Sequence, residues 1–516
     1  MKKLTGIMSK PQDDGSELIF ALVGAIGTDL DSVSKELETS LKRVNFNLRS
    51  IRVIELMHGL KKWKTCHRFP EDKRYNKHMD AGNEFRLATE RYDALALLAI
   101  GQIRDHREKI TGDPNKSAPR QAYLLRSLKN PKEAQTLRRI YNSRFNLIAA
   151  YSPRDQRLQC LAQSIAESYH AYHSDEYRAK AESLMQRDEV ESDKAFGQNV
   201  STTFPQADVF INASDRTEIK KSIDRFLELL FGNTFHTPTR EEYGMFHAQA
   251  AALRSSTLSR QVGSIISTED GDLIAAGCNE VPKAQGGLYW AGDTPDQRDF
   301  RLGYDTSTRR KKNLLADILK RLQDEKWLKS DKSTKDIDKL IDEAVAGHSS
   351  PLIPGAQIMN VLAFGRAVHA EMAALMDAAR RGISVKGCLL YTTTFPCHDC
   401  ARHIVAAGIQ KVIYIEPYPQ SLAQDLHYDS IIVDSLPEGD GRVKFKPFVG
   451  IAPRRYMDLF TMTKRKEDNG STLNWDQTKA KPRLSGVATS YLVPEAQETS
   501  QFIRTLKTKK LITATD

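Results

Sequence analysis

One stretch constrains this chain more than any other: the segment from Arg366 to Ala407. It holds His369-Ala370-Glu371 and, after a short connection, Pro396-Cys397-His398-Asp399-Cys400. One histidine and a Cys-x-x-Cys pair supply three ligands to a tetrahedral zinc ion and leave a fourth position for water, the make-up of a catalytic site and not a structural one. Local patterning makes the spacing workable. Residues 368–381 are rich in Ala and Met with no Pro or Gly, which predicts a helix starting at the histidine. Cys388 to Thr394 reads as a buried strand, and Phe395-Pro396 opens a second helix with its cysteines one turn apart. Cysteines at a helix start lose protons more easily, which favours thiolate ligation. The plainer readings are a surface His-x-Glu and a redox or structural Cys-x-x-Cys. A structural zinc would take His398 or His403 as its fourth ligand and leave Glu371 without a role.

With their spacing, these residues resemble the zinc-dependent cytidine/deoxycytidylate deaminase superfamily, in which the glutamate carries protons and does not bind the metal. The flanking chain follows that order. A helical pattern over Thr239 to Ser256 precedes a hairpin, Arg260 to Ser267 and Asp272 to Cys278, turning at Glu269-Asp270-Gly271. Asn279-Glu280-Val281-Pro282 comes next, and a strand over Lys411 to Ile415 closes the set. The resemblance implies an α/β/α sandwich and gives Asn279 a contact to the sugar hydroxyl. An Asn close before Pro is by itself an ordinary turn residue. Arg254, Arg260 and Lys283 are candidates to bind substrate phosphate. The segment of about 283–363 is an insert too long to lack structure of its own. It opens with an aromatic-rich run, Gly286 to Trp290, and has a charged helical middle over Asn313 to Trp327. The Tyr418-Pro419 region resembles deoxycytidylate deaminases.

The first half alternates strands with helices, which predicts a parallel α/β sheet. Strands are expected at Leu18 to Val23, Leu48 to Ile54, Gln121 to Ser127, Phe145 to Tyr151 and Ala207 to Ala213, with helices at Leu30 to Val44, Asn83 to Arg104 and Glu218 to Phe231. The first strand runs into Gly24-Ala25-Ile26-Gly27-Thr28-Asp29, a turn that could present backbone N–H groups to phosphate. Gly24, Gly27, Thr28 and Asp29 are therefore candidate nucleotide-binding residues. The order resembles nucleoside monophosphate kinases and related P-loop kinases, including an Arg154/Arg157 lid segment. The motif is degenerate: Asp29 stands at the second Gly position, Leu30 at the Lys position, and the third strand ends in Arg126-Ser127 without a metal-binding acid. The expectation is a domain that binds a nucleotide, or once did, and regulates the deaminase without transferring phosphoryl groups.

Composition bounds the rest. A chain of 516 residues divides into two or three domains: 1–235 kinase-like, 236–460 deaminase-like and a 461–516 extension whose apolar positions at Tyr491 to Val493 and Phe502-Ile503 suggest docking. Six cysteines argue against a disulfide framework. No apolar leader or membrane-length run is evident in the sequence, so a cytoplasmic protein is expected. A net charge of +10, with clusters at Arg309 to Lys312 and Lys464 to Lys466, suits nucleotides without arguing for DNA or RNA.

The whole arrangement resembles the bacterial antiphage dCTP deaminases. That implies zinc-dependent hydrolysis of dCTP to dUTP, and of dCMP to dUMP, which starves phage replication. Zinc on His369, Cys397 and Cys400 would acidify water, and Glu371 would move its proton to the base. A housekeeping dCMP deaminase is the nearest alternative, followed by a nucleic-acid cytosine deaminase and by a non-catalytic nucleotide sensor. Deoxycytidine nucleotides are the expected partners, with a regulatory nucleotide and a homo-oligomer also in view.

Overall fold

A computed structural model describes residues 17–64, 70–189, 191, 196–345, 358, 361, 364–417, 421–434, 441–484 and 491–512. The chain forms two compact units: the first comprises the residues up to Glu242 together with those from Val449 onward, the second Tyr243–Phe448. Each is a mixed α/β structure on a mainly parallel six-stranded sheet. Among the described residues no helix is long and apolar enough to cross a membrane.

In the first unit, β1 (Leu18–Val23) is buried along its whole length. It pairs in parallel with β3 (Gln121–Arg126) on one side and β4 (Phe145–Tyr151) on the other. Outside β3 lies β2 (Asn47–Arg52), and outside β4 lies β5 (Val209–Asn212). A continuous apolar run is what a central parallel strand covered on both faces requires. A last, antiparallel strand, β12 (Gly450–Ile451), is added against β5 from the far end of the chain. The residues expected as a separate extension after 460 belong to this unit as well. Its helix Leu492–Thr508 buries Leu492, Phe502 and Leu506.

Two expectations are corrected here. The helix read over Asn83 to Arg104 is two helices, Glu71–Thr89 and Ala94–Thr111. Glu90 stops the first in the left-handed conformation (φ 55°), and Arg91 then grips Asp93 through two 2.8 Å hydrogen bonds. Asp93 also accepts from Thr136 Oγ1 at 2.6 Å, so the break is fixed by tertiary bonds that local propensity does not register. The Arg154/Arg157 lid is the start of a regular helix, Arg154–Ser168. Arg157 is buried in it, donating to the Ser152 and Ile26 carbonyls.

The second unit builds its sheet in the order β10 (Ile431–Val433), β11 (Val443–Pro447), β9 (Lys411–Glu416), β8 (Leu389–Thr394), β6 (Gly263–Ser267), β7 (Leu273–Cys278). The hairpin β6–β7 is antiparallel, β6 meets β8 antiparallel, and β8, β9, β11 and β10 run parallel. Helices Ala370–Arg380 and His398–Ala406 pack against this sheet in a shared apolar core with β6, β8 and β9. The insert contributes helices Thr306–Asp324 and Ile337–Val345. The Tyr418-Pro419 pair and the end of the insert lie outside the described residues.

Candidate active site

Close packing fixes where the site forms. Gly277 on β7 lies so near the helix Ala370–Arg380 that a Cβ there would stand 2.4 Å from the Ala370 carbonyl and 2.4 Å from the Ala374 nitrogen. Only glycine lets that helix lie directly on the strand. Its N-cap is His369, and Glu371 sits in its first turn, 4% exposed. From the other side, β8 leads into the helix His398–Ala406, whose N-cap is Cys397; its Sγ accepts from the Cys400 N–H at 3.5 Å. Two helix starts thus converge, as the spacing predicts.

The three expected ligands are brought together. His369 Nδ1 lies 3.3 Å from Cys397 Sγ and 3.4 Å from Cys400 Sγ, and all three donor atoms fall within 4.8 Å of one another. Zinc at about 2.3 Å from sulfur and about 2.0–2.1 Å from nitrogen would set tetrahedral S···N distances of about 3.6 Å, so the donors fit the ion with only small shifts. The electrostatics suit a cation too. Hydrogen bonding from Cys400 and His369 lowers the Cys397 thiol from its ordinary value, which favours its thiolate form as a ligand. The bond to Cys397 raises His369. Glu371 is not one of the three; its Oε2 accepts from Cys400 Sγ at 3.5 Å, and burial raises its pKa, helped by the neighbouring Cys397 charge. A carboxyl group raised above its ordinary value beside the donors is suited to take and to give a proton.

The remaining candidates are placed differently. Asn279 is buried, and its amide is committed to the chain before β6: Oδ1 accepts from Val262 N (2.8 Å), and Nδ2 donates to Thr257 Oγ1 (3.0 Å) and to the Arg260 carbonyl (2.7 Å). Arg260 pairs with Glu416 at 2.8 Å and Lys283 with Asp293 at 2.9 Å, both at half-exposed positions. Arg254 stacks on Trp290, 3.5 Å from the ring centre, and donates to the Leu288 carbonyl, which fastens the start of the insert. The residue that sequence reasoning passed over is Glu280. It is buried, its backbone bridges Val368 immediately before His369, and its carboxylate takes both the N–H (2.8 Å) and the hydroxyl (2.6 Å) of Ser256. An acid beside Asn279 in a turn carries no signal of this in the sequence.

Comparison with known proteins agrees with the geometry. Residues 238–416 match the cytidine and deoxycytidylate deaminase zinc-binding region. The cofactor of that region is zinc, and among the described residues His369, Cys397 and Cys400 form a group that could hold it. Over 54 residues (10% of this chain, 29% of the other) the sequence is 44% identical to the deoxycytidylate deaminase of Enterobacteria phage T2. Over 81 residues (13% and 43%) it is 35% identical to ComE operon protein 2 of Bacillus subtilis (strain 168). The chain spans less than half the length of these curated relatives. The crystal structure of dCMP deaminase from the cyanophage S-TIM5 in apo form overlaps 41% of this chain and 99% of its own at 18% identity, with a TM-score of 0.22.

Proposed function

We propose that this chain is a zinc-dependent deaminase of deoxycytidine nucleotides, converting dCTP to dUTP and dCMP to dUMP, and that it depletes dCTP in defence against phage. The observation that carries the reading is the buried Glu371 carboxyl held against a preformed His-Cys-Cys donor set. Bound there, zinc would supply Lewis-acid activation of the attacking water. Glu371 takes one proton from that water and gives it to N3 of the cytosine while the water oxygen bonds to C4. It then passes the second proton from the new hydroxyl to the 4-amino group, and ammonia leaves as C4=O forms. Two protons come off one water and two are delivered, so the products are the uracil nucleotide and ammonia.

In this reading the first unit regulates the second and is not a kinase, and the enzyme works in the cytoplasm as a homo-oligomer. A housekeeping dCMP deaminase is the second reading, favoured by the names of the relatives. Purified protein and Glu371→Ala incubated with dCTP, dCMP, CTP and a single-stranded oligonucleotide decide between them by chromatography. The expected result is dUTP from the native chain, turnover lower by about 10²–10⁴-fold in the variant, and equal zinc in both. Conversion of dCMP alone would leave the housekeeping reading; editing of the oligonucleotide alone would overturn both.

A further inference from the structure

Two glycines seat two helices on the sheet of the second unit, and the ends of those helices meet at one buried acid. Gly277 on β7 seats the helix Ala370–Arg380. Gly263 on β6 does the same for the helix Arg240–Ala252, since a Cβ there would collide with the Ala248 carbonyl and the Ala252 nitrogen. Leaving that helix, the chain turns at Ser255, whose N–H bonds back to the Ala252 carbonyl at 3.0 Å. Entering the other helix, it passes through Val368 to reach His369. Glu280 holds both ends.

Its side chain takes the first. The residue is 1% exposed; one carboxylate oxygen accepts from the Ser256 N–H (2.8 Å) and hydroxyl (2.6 Å), the other from the Val281 N–H (2.9 Å). Its backbone takes the second. The Glu280 N–H donates to the Val368 carbonyl at 3.2 Å, and the Val368 N–H donates back at 3.0 Å. Among the described residues, this bridge accounts for every backbone–backbone hydrogen bond of 364–368, the approach to His369.

Cause runs from the side chain towards the donor set. Any residue at 280 could form the bridge with its main chain. What the acid adds is a fixed place for it: three hydrogen bonds lock the turn at 280–281 to a helix end that Gly263 has already immobilised. Burying a carboxylate is costly unless donors replace its water, and here each donor belongs to the frame that the bridge hangs from. A metal ligand holds its ion tightly only when the groups behind it fix its orientation. We propose that Glu280 is a positioning residue for His369, acting through the Val368 bridge; this rests on the reading of His369, Cys397 and Cys400 as zinc donors.

Zinc affinity of the full chain, measured by competition with a chelator, tests it without any turnover. We expect Glu280→Ala to bind zinc about 10–100-fold more weakly than the native chain. Hydrogen exchange at the Val368 amide should quicken by a larger factor than at the amides of β8, and the rise in unfolding midpoint that zinc confers should shrink. An acid that served the fold alone would lower the stability of the apo and zinc-loaded chains alike and leave the affinity unchanged. Glu280→Gln keeps one oxygen for Ser256 but sets an amide nitrogen against the Val281 N–H, so it should fall between the native chain and Glu280→Ala. Should Glu280→Ala fail to fold, Glu280→Gln carries the test through zinc affinity and Val368 exchange. Native zinc affinity in the folded variants, or weakened zinc with unchanged Val368 exchange, overturns the proposal. A native chain that binds no zinc would instead sink the site reading beneath it, and product chromatography reads cytosine conversion independently.

Discussion

Residue by residue, the candidate site separates side chains that converge on one point from side chains that brace the fold. The convergence of His369, Cys397 and Cys400 was legible in the sequence because ligand geometry imposes a spacing on the chain: one turn between Cys397 and Cys400, and one helix start for His369. Asn279 shows the opposite case. Its place after the second hairpin strand suggests a sugar contact, yet its amide makes three bonds to the chain at 257–262. Asn279→Ala would leave the buried Val262 N–H without its acceptor and take one bond each from Thr257 Oγ1 and the Arg260 carbonyl, which still bond to each other, at about 1 kcal/mol or more in each case. We expect a loss of about 2–4 kcal/mol in denaturant unfolding. A change in KM with no loss of stability would mean that the amide serves substrate and not the fold.

Among the elements, the buried strands could be read almost to the residue, since β1, β4 and β8 are covered on both faces and carry no charged side chain. What could not be read depends on partners distant in sequence. The break between Thr89 and Ala94 relies on Thr136, and the Arg157 helix start on the Ile26 carbonyl. Gly277 is an intermediate case: the glycine is visible, but what presses on it is not. Gly277→Val would drive a side chain into the Ala370 carbonyl and the Ala374 nitrogen, backbone atoms that cannot turn aside. The helix that carries His369 and Glu371 would have to lift. We expect zinc per chain, measured by atomic emission after dialysis, to fall by at least half, with a stability loss of about 1–3 kcal/mol. Full zinc content in Gly277→Val would show that the ligand set tolerates a displaced helix.

At the scale of the molecule, one buried charge network joins three remote parts of the first unit. Arg107, fully buried, donates to Glu17 at 2.9 Å through Nε and to Glu495 at 2.8 Å through a terminal nitrogen. Tyr491 donates to Glu17 at 2.6 Å and Tyr141 to Glu495 at 2.7 Å. Removing the cation strands two carboxylates, so Arg107→Met should cost about 3–5 kcal/mol in chemical unfolding; a loss below about 1 kcal/mol would mean the acids had simply taken up protons. No sequence pattern announces a triad spread from residue 17 to residue 495. The return of the chain to its first unit through β12 and the helix Leu492–Thr508 also orders events in time. A ribosome delivers Arg107 and Glu17 early but Tyr491 and Glu495 only after the segment that carries His369, Cys397 and Cys400 has emerged. A nascent chain therefore holds an arginine with half its carboxylate partners until residues 491–495 emerge, and a product ended before them is left with an open seam that quality-control proteases can recognise.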